Sequence, residues 1–370
     1  MSGPRSLGIR LLELSVCVVL PALTLAYVFK VVAGTGKSTD FETAFWGAAQ
    51  AILHGDSPYP SLDDPVIARG LAYVYPPLTA LATVPFTVLP RGTAGFLVVL
   101  LLTGLVALTL YVIGVRDWRC YGIAYAWPPV YSAIQTGNVT IPLALCVALA
   151  WRYRDRTVGS GVSVAVGLAV KLFVWPLSIW LAATRRYAAA ALSIAGGTIL
   201  LALSWAAIGF DGLREYPDLM RRLEDILAPE SYTVYALALD FGASSELARV
   251  LWIAVGVGLV AGVVYFGRRG DDRRAFVLAL AATLACTPLV WLHYFALLLV
   301  AVAVVQPTLG AAWFVPLAMY LSTATHNGTT FQNALTLGVA SLTVVLSLRA
   351  PKPERRVAVA NAMSPVAGRP

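Results

Sequence analysis

Uncharged apolar runs follow one another along almost the entire chain, and no other feature narrows the possible folds so much. Leu97 to Leu110 and Ile253 to Tyr265 contain no charged residue. Comparable segments run at about 11–32, 77–90, 94–114, 121–134, 139–151, 159–183, 188–208, 248–266, 275–290, 294–305, 309–322 and 331–348. In hydrocarbon a backbone N–H or C=O has no water to bond to, so a crossing segment must satisfy itself as a helix of about 20 mostly apolar residues. Barrel strands would read as segments of about 10 residues with alternating polarity, a pattern these runs lack. The overall balance agrees: 59% of the 370 residues are apolar and 12% are charged, against roughly 45–50% and about 25% in a soluble domain. The expectation is an all-α integral membrane protein, a multi-spanning bundle of about 10 to 12 transmembrane helices. It forms a single transmembrane domain over residues 1–350, with no soluble domain beside it.

The net charge of +8 does not point to nucleic acid, because the basic residues stand in short clusters between apolar runs. Arg152/Arg154/Arg156, Arg185/Arg186, Arg268/Arg269/Arg273/Arg274 and Lys352/Arg355/Arg356 read as cytoplasmic loops of a multi-pass plasma-membrane protein. Arg5 and Arg10 precede the first apolar stretch, which lacks a small-residue cleavage site and is expected to be a retained helix with its N-terminus inside. The polar stretch 34–75 carries Asp40, Glu42, His54, Asp56, Asp63 and Asp64 but only two basic residues, which assigns it to the outside. Within it Phe41, Phe45, Ala48, Ala49 and Ile52 recur at helical spacing, predicting an amphipathic helix along the outer membrane surface. A second polar stretch, Asp211 to about Glu246, is also assigned outside, and the Pro-, Ala- and Arg-rich tail 351–370 reads as a disordered cytoplasmic segment. Keeping Arg156 and Arg185 on one side requires the intervening residues either to make an even number of crossings, which is tight for two full helices, or to dip into the membrane and return, turning near Lys171 to Pro176. Short broken helices persist at that depth only where they line a polar cavity, so this difficulty itself marks a site. Cys17, Cys120, Cys146 and Cys286 form no C-x-x-C pair or metal-ligand spacing.

Few residues in such a chain can carry chemistry. Asp40 follows the first apolar stretch directly and stands at the start of the expected surface helix. It is either an N-cap for that helix or a general base within reach of a lipid headgroup, with Glu42 as its nearest competitor. Tyr73, Tyr75, Pro76, Pro77 and Leu78 form a junction into the next helix that suits interfacial anchoring. Gln135, Gly137 and Asn138 interrupt two apolar segments, as a turn or as the polar lining of a pocket. Lys171 sits in the otherwise apolar run Leu168 to Trp175, where a charge is expensive and by default functional; the alternative is a lysine that snorkels to the interface. His293 and Tyr294 join two apolar segments, and the histidine either contacts a phosphate or satisfies a buried hydrogen bond. His326 and Asn327 are assigned to a solvated outer loop. The chain lacks a Walker A sequence, a dinucleotide fingerprint, a nucleophile elbow and an H-E-x-x-H pair, which argues against a nucleotide-sugar donor.

Taken in order, Asp40-Phe41, His54-Gly55-Asp56-Ser57-Pro58-Tyr59, Tyr75-Pro76-Pro77-Leu78, Gln135-Thr136-Gly137-Asn138, Gly167-Leu168-Ala169-Val170-Lys171 with Pro176, and His293-Tyr294 resemble glycosyltransferase family 87. These are GT-C class membrane glycosyltransferases of actinobacteria, polyprenol-phosphate-mannose-dependent α-1,2-mannosyltransferases, and the resemblance extends from about residue 10 to 350. It implies an inverting enzyme that moves mannose from a polyprenyl-phosphate donor to a lipid-anchored glycan acceptor at the outer face, with no cofactor and no metal. Asp40 would be the catalytic base, Lys171 and His293 would bind the donor phosphate, and Tyr75, Gln135, Asn138 and Tyr294 would bind substrate. One departure is that the family's usual G-Q-x-N kink stands here as Gln135-Thr136-Gly137-Asn138. A polyprenyl-phosphate-arabinose donor fits the same logic, and from a different class a lipid or sugar transporter would also use broken helices and an intramembrane lysine.

Overall fold

The structure is a computed structural model and describes residues 7–35, 39–69, 71–322 and 329–350. His326, Asn327 and the tail 351–370 lie outside the described residues. Among the described residues every regular element is helical. The chain opens with α1 (Arg10–Gly34), interrupted by a π-bulge at Ser15–Val19. The first polar stretch forms α2 (Trp46–His54), entered through a second π turn at Phe41–Phe45. α3 (Pro77–Thr83) begins on a proline, whose missing N–H is harmless in a first turn. After α4 (Arg91–Ile113) the Asp117 carboxylate accepts the Arg119 backbone N–H to start α5 (Trp118–Ala126). Four short pieces follow: α6 (Pro128–Thr136), α7 (Thr140–Arg152), α8 (Thr157–Val170) and α9 (Pro176–Ala183). α10 (Tyr187–Ala207) is long again. The second polar stretch holds α11 (Tyr216–Leu227) and α12 (Val234–Asp240). α13 (Ser245–Arg268), α14 (Asp272–Ala285), α15 (Leu298–Val305) and α16 (Thr330–Arg349) complete the bundle.

Among the described residues five helices are long and apolar enough to cross a bilayer unaided, namely α1, α4, α10, α13 and α16. The pair α6–α7, bent by 119°, makes a sixth if it is counted as one span. This is fewer than the ten to twelve spans expected from the sequence. The other apolar runs are helical but arrive in short pieces such as Pro77–Val88, Thr157–Val170 and Leu292–Val305. A helix of about 14 residues rises only ~21 Å against ~30 Å of hydrocarbon. An apolar run measures composition, whereas the length of a helix is set by whichever glycine, proline or polar residue breaks it.

Contacts at the two ends of the bundle show which loops lie together. At one end the Asp272 carboxylate accepts hydrogen bonds from Arg186 at 2.9 and 2.8 Å and from the Trp180 indole at 2.7 Å, and Arg154 lies 3.2 Å away. Arg186 also meets Asp155 at 2.9 Å, so arginines from two clusters converge on a carboxylate that stands within a third. At the other end Tyr59 stacks on Trp205 and packs edge-on against Tyr216, whose hydroxyl donates to the Val74 carbonyl at 2.8 Å. The two polar stretches thus share a face. α10, 21 residues long, separates that face from the arginine end by about 30 Å.

The segment between Arg156 and Arg185 is a helical hairpin. α8 leaves the arginine end, stops at Val170, passes through extended Lys171 and a short 3-10 turn at Leu172–Val174, and α9 returns to Arg185 and Arg186. Its tip reaches the first polar stretch, where the Thr79 hydroxyl donates to the Val170 carbonyl at 3.5 Å.

Candidate active site

Each break in this helical framework delivers a side chain to one place. Asp40 enters just ahead of the π turn Phe41–Phe45, and its own backbone is already helical (φ −69°, ψ −41°) with no side-chain capping bond. The capping alternative therefore falls away. Its Oδ2 instead accepts a hydrogen bond from Asn138 Nδ2 at 2.6 Å, across the break between α6 and α7. π-bulges recur at functional sites because the extra residue re-aims neighbouring side chains, and this one leaves Phe41 and Phe45 packed inward on Phe86, Tyr73 and Tyr75. The helix thus lies with its apolar side against the protein.

Asn138 is fully buried. The chain turns sharply before it because Gly137 takes a left-handed φ of 70°, a conformation that glycine adopts without strain. Asn138 Oδ1 accepts the Thr140 backbone N–H at 2.9 Å and the Thr140 hydroxyl at 2.7 Å. With the oxygen committed to those donors, Nδ2 must face the other way, and it donates to both Asp40 and the Tyr75 hydroxyl, the latter at 3.2 Å. The sequence left a choice between turn and lining; the turn is there, and from it the Asn138 amide reaches Asp40.

Tyr75 is positioned by the aromatic junction around it. The Tyr59 hydroxyl donates to the Tyr75 carbonyl at 2.9 Å, and the Tyr73 hydroxyl donates to the Pro76 carbonyl at 2.6 Å while accepting the Ala80 N–H at 3.0 Å. These rings hold a backbone that leads into α3, which is a structural task rather than interfacial anchoring. Lys171 comes from the hairpin tip. Its Nζ lies 3.5 Å from the Tyr294 ring centroid, 4.9 Å from that of Tyr75 and 5.0 Å from that of Phe173. An ammonium among three aromatic faces is attracted by their quadrupoles. The side chain therefore turns inward rather than snorkelling to an interface. His293 is the second residue of the 3-10 segment Leu292–Leu297 and is buried, with Nε2 3.9 Å from Asp40 Oδ2 and its ring 4.7 Å from that of Tyr294.

Asp40, Tyr75, Asn138, Lys171, His293 and Tyr294 thus form one cluster. Gln135 makes no side-chain hydrogen bond to it among the described residues; it is half-buried on the last turn of α6. Glu42 is buried beside Arg91, at 3.7 Å, in an ion pair that removes it as a rival to Asp40. Thr140 and Phe173 were missed in the sequence. Thr140 carried a readable signal, a hydroxyl two residues after an asparagine at a break, where such side chains close local turns. Phe173 carried none, because an aromatic in an apolar run looks like core. Among the described residues no three of His, Cys, Asp or Glu come together as a cation would require. The Asp40 side chain stays 29% exposed, so this carboxylate is oriented by the protein yet open to a ligand.

Comparison with known proteins adds the family. The family description "Glycosyltransferase family 87" matches residues 73–292, a span that takes in Tyr75, Gln135, Asn138 and Lys171 and leaves Asp40 and His293 to be joined to them by folding. Over 278 residues the chain is 24% identical to the polyprenol-phosphate-mannose-dependent alpha-(1-2)-phosphatidylinositol pentamannoside mannosyltransferase of Mycolicibacterium smegmatis. That match covers 68% of this chain and 61% of the length of that relative. No solved structure matches. The family match takes in more than half of the chain and three of the six clustered side chains, and the chain belongs to glycosyltransferase family 87.

Proposed function

We propose that the protein is a mannosyltransferase that takes mannose from polyprenyl-phosphate mannose and adds it, with inversion and in α-1,2 linkage, to a lipid-anchored glycan at the outer face of the plasma membrane. The observation that carries this reading is the placement of Asp40, a partly exposed carboxylate gripped by Asn138 at 2.6 Å at the meeting point of the broken helices. The donor and linkage follow the name of the mycobacterial relative. Sidedness follows the charge: the arginine end belongs in the cytoplasm by the positive-inside rule, which puts the Asp40 end about 30 Å away on the outside. The amphipathic helix entering α2 then lies at that outer face, in the loop 34–75.

In the reaction an acceptor hydroxyl oxygen attacks the anomeric carbon as the bond from that carbon to the phosphate oxygen breaks. The hydroxyl proton passes to Asp40, and the bonding pair leaves with polyprenyl phosphate. Charge grows on the phosphate as it departs, and cationic donors already in place lower that barrier without reorganising. Lys171 in its aromatic cage and His293 beside Asp40 are the groups available. Tyr75, Gln135, Asn138 and Tyr294 are the groups assigned to substrate, with Asn138 also orienting Asp40.

The test is transfer of labelled mannose from synthetic polyprenyl-phosphate mannose to extracted membrane lipids by the purified protein, with polyprenyl-phosphate arabinose as the rival donor. Mannose transfer is expected. Transfer from the arabinose donor alone would replace the sugar and keep the mechanism, and transfer from neither would return the transporter reading.

A further inference from the structure

At the arginine end, far from Asp40, two adjoining cavities open between the turn after α9 and the end of α13. One, of about 390 Å³, is walled by Thr184, Arg186, Arg269, Gly270 and Asp272; the other, of about 500 Å³, by Ile179, Ala182, Ala183, Tyr187 and Val264. Arg185 and Arg268 line both and so stand where a polar chamber meets an apolar one. The helices close together just there: a side chain on Gly267 would meet the Ala183 Cβ at 2.7 Å, which shuts the cleft at its base.

The charges in this cleft do not cancel. Asp272 is taken up by Arg186 and Arg154, while Arg185, Arg268 and Arg269 make no ion pair among the described residues. Arg185 is also unusual in its backbone, with φ 65°. It closes the turn after α9, with its N–H donating to the Ala182 carbonyl and that of Arg186 to the Leu181 carbonyl, at 3.0 and 2.8 Å. Glycine is the usual occupant of that left-handed position, so the turn itself does not explain an arginine.

We propose that this cleft binds an anionic phospholipid, its phosphate between Arg185 and Arg268 and one acyl chain along Ile179, Ala182 and Val264. Guanidinium forks match phosphate oxygens in geometry as well as charge, and basic pockets between membrane helices on the cytoplasmic side are suited to lipid headgroups. A soluble phosphate would use the polar chamber alone; the apolar chamber beside it favours the lipid. The site is independent of the reaction proposed at Asp40.

The full-length protein, purified in detergent, is titrated with phosphatidylglycerol, with phosphatidylcholine and with inorganic phosphate, reading retained lipid by native mass spectrometry and the thermal unfolding midpoint. Phosphatidylglycerol is expected to stay bound and raise the midpoint, phosphatidylcholine and phosphate to do neither. In Arg185→Gln/Arg268→Gln its affinity drops by roughly 25-fold, the product of about fivefold per arginine near an anionic headgroup. Arg221→Gln/Arg222→Gln, on the opposite face, is the control that leaves it unchanged. The single variant Arg268→Gln spares the left-handed turn and gives about a fivefold loss, which keeps the test available if the double variant folds poorly. Equal retention of phosphatidylcholine, equal stabilisation by inorganic phosphate, or unchanged affinity in either variant overturns the proposal.

Discussion

At the scale of single residues, the site depends on a hydrogen-bond order that has one solution. Asn138 Oδ1 is fixed by two donors from Thr140, and only then can its Nδ2 be relied on to face Asp40. Thr140→Val removes one of those donors while keeping shape, and a hydrogen bond of this kind contributes about 1 kcal/mol. We predict a slightly lower thermal midpoint and a reduced kcat with KM for the donor little changed, measured in the mannose-transfer assay. Lys171 is predicted to act on binding instead. Lys171→Met keeps the aromatic packing and removes the charge; since a hydrogen bond to a charged group contributes about 1.5–3 kcal/mol, KM for the donor should rise by about 10- to 100-fold. An unchanged KM would detach Lys171 from the phosphate. Lys171 and His293 stood out in the sequence as polar residues among apolar ones, Asp40 by its place directly after the first apolar stretch, and Asn138 as part of the polar break between two apolar segments. Their partnerships were not, since Asp40 and Asn138 are 98 residues apart and no local pattern encodes such a contact.

At the scale of elements, imperfection does the positioning. The bend of 119° between α6 and α7, the hairpin tip at Lys171 and the π turn at Phe41–Phe45 each interrupt a helix so that one side chain can reach the centre. The sequence announced the hairpin, because its flanking arginines demanded a return to the same side. It did not announce how short the pieces would be, and against the ten to twelve spans expected only five helices among the described residues, or six with the bent pair, are long and apolar enough to cross by themselves. The second π-bulge, at Ser15–Val19, was also invisible beforehand. It brings the Cys17 carbonyl against Gly122 of α5 so closely that an added Cβ would collide with backbone. Overpacking of this kind costs about 1–3 kcal/mol or more, and the obstacle is not a side chain that can swing away. Gly122→Ala is predicted to lower the yield of folded protein sharply, read as monodisperse material on size exclusion; normal yield would mean that α1 and α5 shift apart at little cost.

At the scale of the whole molecule, the bundle is organised between two ends. Asp272 gathers Arg154 and Arg186, and through Arg186 also Asp155, tying the loops after α7, α9 and α13 into one plate. The side chains of Asp272 and Arg186 are 24% and 20% exposed, so solvent screens them only in part. Asp272→Asn leaves Arg154 without its anion and Arg186 with Asp155 alone, a loss of about 1–3 kcal/mol. The thermal midpoint in detergent should fall, and its sensitivity to added salt should weaken relative to wild type. From that plate α10 reaches to the aromatic contacts of Tyr59, Trp205 and Tyr216, where the polar stretches meet and the Asp40 cluster sits nearby. The positions of the basic residues in the sequence foretold this polarity, though not the carboxylate that unites them, because one Asp among many arginines carries no local signature.

The central claim is that Asp40 takes the acceptor proton. Asp40→Asn tests it most directly, with mannose transfer and the Kd for polyprenyl-phosphate mannose measured on the same purified protein. Loss of a positioned base predicts kcat lower by about 10²- to 10⁴-fold with donor binding preserved. A variant that transfers mannose at the wild-type rate would contradict the assignment of Asp40 as the base.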